Sequence, residues 1–201
     1  HHEGYVSQDP RVEPAAGTGI DRPADLPDEV DVLIVGTGPA GMVAAAQLAQ
    51  FPSITTRIID KRAGRLEVGQ ADGIQARSVE TFQAFGFAGR IVEEAYRITE
   101  MCFWKPDPAT PDRIVRTART LDDEHGISEF PHLLVNQARV LDYFAEWARN
   151  SPTRLTPDYG WEFTGLELPG DPSDPVLVDL VRTDGPDAGT TRRIRARYVV
   201  G

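Results

Sequence analysis

Residues 30–35, Val-Asp-Val-Leu-Ile-Val, run directly into Gly36-Thr37-Gly38-Pro39-Ala40-Gly41, and no other stretch limits the fold as strongly. An alanine-rich helical segment follows at residues 42–50, and a second apolar run ends at Asp60. Strand, glycine turn, helix and acid-ended strand in that order form the unit whose helix N-terminus holds a dinucleotide pyrophosphate. Gly36 allows the tight turn, Gly38 lets backbone approach the pyrophosphate, and Gly41 brings helix and strand together. Pro39 suits the first helical turn, where its missing N–H has no intrahelical partner to lose. Ala40 keeps that turn small. The free N–H groups and the helix dipole favour an anion there. Asp60 lies 19 residues beyond Gly41, at the spacing of a carboxylate that meets a ribose hydroxyl, and Lys61 follows it at the cradle's edge. The plain alternative is a glycine turn inside an ordinary parallel sheet.

Composition narrows the setting. A chain of 201 residues with net charge −10 can bury one sizeable core and is a poor match for nucleic acid or an anionic membrane. No apolar run approaches the roughly 20 residues of a membrane span. The single cysteine, Cys102, excludes an internal disulfide, fits a reducing cytoplasm and is read as a small buried hydrophobe. His125 and His132 have no partners at metal-ligand spacing, so no metal site is expected. Residues 1–29 are rich in Pro, Gly, Asp and Glu and read as an extended arm without a signal-peptide core. The chain opens His1-His2 without methionine, as a tag remnant or trimmed start would.

Residues 61–73 are polar and glycine-broken. Residues 77–85 carry Val79, Phe82 and Phe85 on one helical face, with Gly86 as the stop. A short helix is expected at 91–96 and a β-prone stretch at 98–104, ended by Pro106 and Pro108. A strand follows at 114–117 and a loop at 120–131. Asn136 is the N-cap candidate for a helix to about residue 150, with Val140, Leu141, Phe144, Ala145, Trp147 and Ala148 inward. Strands are expected at 161–168, 176–182 and 193–200, with a turn at Asp184-Gly185-Pro186-Asp187. Trp104 and Trp147 read as packing residues. The last strand arrives at Gly201, where a functional turn would begin, so the expectation is the first part of a longer enzyme.

The glycine motif with Asp60, together with Gly69-Gln70-Ala71-Asp72-Gly73 and Gln75-Ala76-Arg77-Ser78-Val79-Glu80, resembles the FAD-dependent aromatic hydroxylases. Phe103-Trp104-Lys105-Pro106-Asp107-Pro108 and Ser128-Glu129-Phe130-Pro131-His132, leading to Asn136-Gln137-Ala138-Arg139, are similar to the phenol 2-monooxygenase and 3-hydroxybenzoate 4-monooxygenase branch. The resemblance covers residues 30–201. It implies an α/β, Rossmann-like FAD-binding sheet with additional β-strands, as an incomplete portion of a larger two-domain flavoprotein. Residues 30–201 would be the FAD-binding domain, with substrate-domain strands within 98–120 and 159–182.

The reaction implied is insertion of one oxygen atom of O₂ into a phenolic ring, with FAD as cofactor and NAD(P)H as co-substrate. The family match makes Asp72 the active-site carboxylate beside the substrate hydroxyl. It brings Gly69, Gln70, Ala71 and Gly73 close to the flavin and makes Gln137 a flavin contact. Arg62 stands near the adenine or in solvent, and Arg77 is first a helix-start or ion-pair residue. Family members are commonly dimers. Two other functions compete: a Rossmann NAD(P)-dependent oxidoreductase, which leaves residues 70–73 unexplained, and a non-catalytic nucleotide-binding fragment. The residues separate neither the phenolic substrates nor NADH from NADPH.

Overall fold

The computed structural model describes residues 23–122 and 125–201. Most of the expected arm, residues 1–22, and two residues of the expected loop at 120–131 lie outside them. The strands are β1 (Glu29–Val35), β2 (Thr56–Asp60), β3 (Gly73–Ile74), β4 (Tyr96–Ile98), β5 (Glu100–Asp107), β6 (Thr110–Leu121), β7 (His132–Leu134), β8 (Asp158–Tyr159), β9 (Trp161–Glu167), β10 (Val176–Arg182) and β11 (Thr191–Val200). The helices are α1 (Pro39–Leu48), α2 (Ala76–Ala84), α3 (Ala88–Glu94) and α4 (Gln137–Asn150). They divide into two compact units, residues up to Val68 with Ala138–Gly201, and Gly69–Gln137.

The first unit is built on a six-stranded sheet in the order β8-β2-β1-β11-β10-β9. Its β8, β2, β1 and β11 run parallel, and β10 and β9 return antiparallel. Parallel strands covered on both faces need continuous apolar runs rather than alternation. β1 and β2 meet that demand, with Leu33, Ile34, Ile58 and Ile59 fully buried. Each such side chain removed from water contributes about 2 kcal/mol. Arg57 interrupts the apolar run of β2 and is 3% exposed. Its Nε and Nη2 donate to the two carboxylate oxygens of Asp158 at 2.7 and 2.6 Å, which clamps β8 to the sheet edge. The sequence strands at 176–182 and 193–200 are therefore present as β10 and β11, and 161–168 as β9. The strands within 159–182, where substrate-domain strands are expected, are β9 and β10, and they pair within this sheet.

The second unit contains a three-stranded sheet, β3-β7-β4, the helices α2 and α3, and the β5–β6 ribbon. Several expectations are corrected here. The helix expected at 91–96 is α3, which spans Ala88–Glu94, and Tyr96 belongs to β4. Pro106 does not end its strand: it lies within β5 opposite Ile114, beside a register shift. A two-stranded ribbon has an open edge on each strand, so a residue without an N–H is tolerated there. The expected strand at 114–117 extends over Thr110–Leu121. Almost every residue of the ribbon is exposed, which overturns two readings. Cys102 is exposed rather than buried, and Trp104 is 60% exposed rather than packed. On α4 the inward face includes Tyr143, 2% exposed, beside Val140, Leu141, Phe144 and Ala148. Among the described residues no helix is long and apolar enough to cross a membrane.

Candidate functional site

In the first unit, β1 ends in the turn at residues 36–41, and its glycines meet different demands. Gly36 has φ +99°, a conformation that strains any residue with a Cβ. A Cβ on Gly41 would lie 2.0 Å from the Gly36 carbonyl oxygen, so only glycine lets α1 sit this close to β1. A Cβ on Gly38 would meet nothing within 4 Å. Its side is open, as a backbone that must admit a ligand requires. Pro39 occupies the first turn of α1, and both it and Ala40 are exposed, so the helix N-terminus with its unpaired N–H groups faces outward.

Asp60 ends β2 behind this turn, 7% exposed. Its Oδ2 accepts from the Thr37 N–H at 2.8 Å, the Thr37 hydroxyl at 2.7 Å and Arg62 Nη2 at 2.7 Å. Its Oδ1 accepts from the Arg62 N–H at 2.9 Å and Arg62 Nε at 3.1 Å. Burial pushes this carboxyl up, but the Arg62 and Thr37 donors outweigh it and hold it at about 2. The same bond raises Arg62 above its usual range. Asp60 thus ties the glycine turn to β2 through Thr37. Lys61 points elsewhere, its ammonium 3.7 Å from Glu162 and 70% exposed.

Beside Thr37 opens a cavity of about 420 Å³, with Met42, Arg65, Arg139, Asp142 and Tyr159 among its walls. Arg65 Nη1 donates to both Asp142 oxygens at 3.0 and 3.2 Å. The Arg139 guanidinium lies 4.6 Å over the Tyr143 ring and 3.8 Å from Asp142. Burial, then the nearby Asp60 charge, pushes the Tyr159 hydroxyl up. Arg65, Asp142 and Tyr159 were not singled out from sequence. The signal for Asp142 was present: Arg139, Asp142, Glu146 and Arg149 recur at helical spacing opposite the apolar face of α4.

In the second unit, the loop at residues 69–73 is held by the residues where β7 gives way to α4. The Gly69 N–H donates to Asn136 Oδ1 at 3.1 Å, and the Gln70 N–H to Gln137 Oε1 at 2.9 Å. A Cβ on Gly69 would fall 2.6 Å from Gln137 Cβ, so this clasp needs glycine. The Val135 N–H donates to the Asp72 carbonyl at 2.8 Å, and Gly73 then pairs with Leu134. Ala71, Asp72 and Gly73 are exposed. Arg77 stands exposed at the start of α2. His132 has a partner that sequence reasoning missed: its Nδ1 lies 2.8 Å from Asp122 Oδ1. Among the described residues no cluster could hold a metal ion.

Residues 29–201 match a family described as FAD binding domain. The chain is 48% identical over its whole length to a 3-hydroxybenzoate 4-monooxygenase of Comamonas testosteroni, covering 32% of that protein. It is 33% identical over 87% of its length to a phenol 2-monooxygenase of Aspergillus fumigatus, covering 28% of that protein. The flavin-dependent monooxygenase PieE, solved with FAD and substrate, matches 86% of this chain with a TM-score of 0.66 at 22% identity, 30% of its own length being covered. The chain thus spans about a third of the length of these relatives.

Proposed function

The chain belongs to the FAD binding domain family, and from that premise we propose that it is the FAD-binding part of an aromatic-ring monooxygenase. The enzyme hydroxylates a phenolic substrate of the 3-hydroxybenzoate type with NAD(P)H and O₂. The observation that carries this reading is the 48% identity to a 3-hydroxybenzoate 4-monooxygenase across the full chain, both loops included. FAD, when bound, supplies the electron transfer and oxygen activation, which no side chain here can perform.

The residues present fit such a cofactor. The open side of Gly38 and the outward N-terminus of α1 suit a pyrophosphate, with Gly36, Pro39, Ala40 and Gly41 shaping the turn. Arg65 and Arg139 on the neighbouring cavity wall would offset its two negative charges. Asp60 keeps the turn in register through Thr37 and meets the ribose hydroxyl with Arg62 on its carboxylate, while the Lys61 ammonium stands toward Glu162. Gln137 spends its Oε1 on the Gln70 N–H, which leaves its NH₂ group as a donor toward the flavin. Ala71 and Gly73 are small and exposed and suit close approach of the flavin, with Gly69 and Gln70 holding the loop against Asn136 and Gln137. Asp72 accepts the hydrogen bond of the substrate hydroxyl, drawing electron density toward the ring.

Residues 30–201 act as the FAD-binding domain, and the β5–β6 ribbon is assigned to the substrate side. The same reading takes the protein as a cytoplasmic homodimer. Purified protein should bind FAD, turn yellow, and oxidise NAD(P)H faster when 3-hydroxybenzoate is added. A colourless protein that cannot take up FAD overturns the proposal.

A further inference from the structure

One ionisable pair of the second unit has no part in the chemistry above. His132 on β7 and Asp122, just past β6, are each only 12% exposed, and their side chains meet at 2.8 Å. A carboxylate oxygen can only accept, so the hydrogen of this bond sits on His132 Nδ1, and in the neutral imidazole the lone pair is then on Nε2. That nitrogen is turned toward Gly73: a Cβ built there would lie 3.7 Å from it. Gly73 directly follows Asp72, whose carbonyl is pinned by the N–H of Val135, three residues beyond His132. One small sheet therefore carries both the loop of the candidate active-site carboxylate and an imidazole nitrogen beside Gly73.

The chemistry gives that nitrogen a task. A carboxylate can accept a phenol's hydrogen bond but holds a proton poorly near neutral pH, whereas an ordinary imidazole binds one a few hundredfold more tightly. We propose that His132, oriented by Asp122, takes the phenolic proton of the substrate held at Asp72, an inference that rests on the monooxygenase reading above. The substrate O–H bond breaks, its electron pair stays on oxygen, and an Nε2–H bond forms. Asp122 then faces an imidazolium and offsets its charge, as the carboxylate does in other Asp–His pairs. The proton leaves later to solvent. The charged groups on the elements around β7 are Asp122, Asp72 ahead of β3, Arg97 on β4, and Arg77 and Glu80 on α2; Glu80 is engaged by the Ser128 hydroxyl at 2.6 Å.

The test uses FAD-loaded protein and 3-hydroxybenzoate, whose phenolate absorbs at longer wavelength than its phenol form. The pH at which half of the bound ligand is ionised is read from difference spectra. In H132Q that midpoint should rise by about one unit, while FAD affinity stays within about twofold. D122N, which keeps the imidazole but removes the fixed charge behind it, should raise the midpoint by less, and it decides the matter if H132Q does not fold. A pair that merely ties β7 to the end of β6 would lower stability and leave the ligand ionising at the parent's pH. That result, in whichever variant folds, overturns the proton-accepting role alone. Failure of the parent protein to bind FAD or 3-hydroxybenzoate instead brings down the monooxygenase reading, and the proposal with it.

Discussion

Gly36 and Gly41 answer to the backbone of their own turn, whereas Gly69 answers to side chains supplied from more than sixty residues away. Gly36 needs its positive φ and Gly41 its contact with the Gly36 carbonyl whatever the rest of the chain does. Behind them Asp60 is buried and surrounded by five donors. Gly69, by contrast, is small because Asn136 and Gln137 come up against it, and Asp72 beside it is exposed. The first loop is a rigid seat cut by local sterics, and the second is a thin strap clasped from one side. A rigid seat suits a pyrophosphate, whose shape never changes. A strap held from one side leaves its outer residues, Asp72 and Gly73 among them, exposed.

The largest effect should separate the two regions outright. Gly41→Ala places a methyl 2.0 Å from a backbone oxygen, which costs about 3 kcal/mol of stability and, through the displaced helix, about a hundredfold in FAD affinity. Gly38→Ala is its control: its Cβ meets no protein atom, so unfolding should be unchanged while FAD binding, followed by flavin fluorescence, weakens. Equal loss of stability in both variants would show that the seat is not shaped for a ligand.

Asp60 gives the next effect, and its sign follows from its pKa. Folding lowers this carboxyl from 3.8 to about 2, so the unfolded chain takes up the proton first as pH falls. The stabilisation is complete above about pH 4 and is lost between about pH 4 and 2, on the order of 2 kcal/mol in all. Asp60→Asn should be less stable than the parent at pH 6 by about that amount, and the gap in urea midpoints should close as the pH approaches 2. A gap independent of pH would mean that the carboxylate's charge does not hold the turn.

These effects track what was legible in the sequence. The turn, α1 and β2 could be read from residues 30–60 because their steric causes lie within that stretch. Arg57 could not: a charge inside an apolar strand makes sense only once Asp158 arrives from 101 residues away. The ribose role expected of Asp60 rests on its spacing from Gly41, whereas its bonds to Thr37 and Arg62 carry no spacing signature of their own. The second unit was less legible still. Its β3 and β7 have two and three residues, too short for any periodicity, and the pairing of His132 with Asp122 depends on how β6 ends. The ribbon misled in the opposite direction, since Cys102 and Trp104 look like core residues in any window of sequence.

Gly69→Ala should matter less for stability than either change in the seat. Its Cβ would lie 2.6 Å from Gln137 Cβ and 2.8 Å from the Gln137 backbone nitrogen, so the clasp must open. Two hydrogen bonds at an exposed site are lost, about 1 kcal/mol in a melting curve, and FAD affinity should fall about tenfold if Gln137 meets the flavin. Stability falling without any change in FAD binding would leave the clasp a purely structural device.

The smallest effect on folding is expected at Gly73, and it probes the comparison most finely. An added Cβ would make an ordinary 3.7 Å contact with His132 Nε2, and Gly73 has no positive φ to lose. Gly73→Ala should therefore unfold within about 0.5 kcal/mol of the parent. It would nevertheless set a methyl group against the one nitrogen of His132 that Asp122 leaves uncovered. If that nitrogen faces the substrate, 3-hydroxybenzoate should bind more weakly and ionise at higher pH in the variant, with FAD affinity unchanged. Unaltered binding and ionisation in a well-folded Gly73→Ala protein would show that the glycine is incidental, and that the strap differs from the seat in rigidity alone.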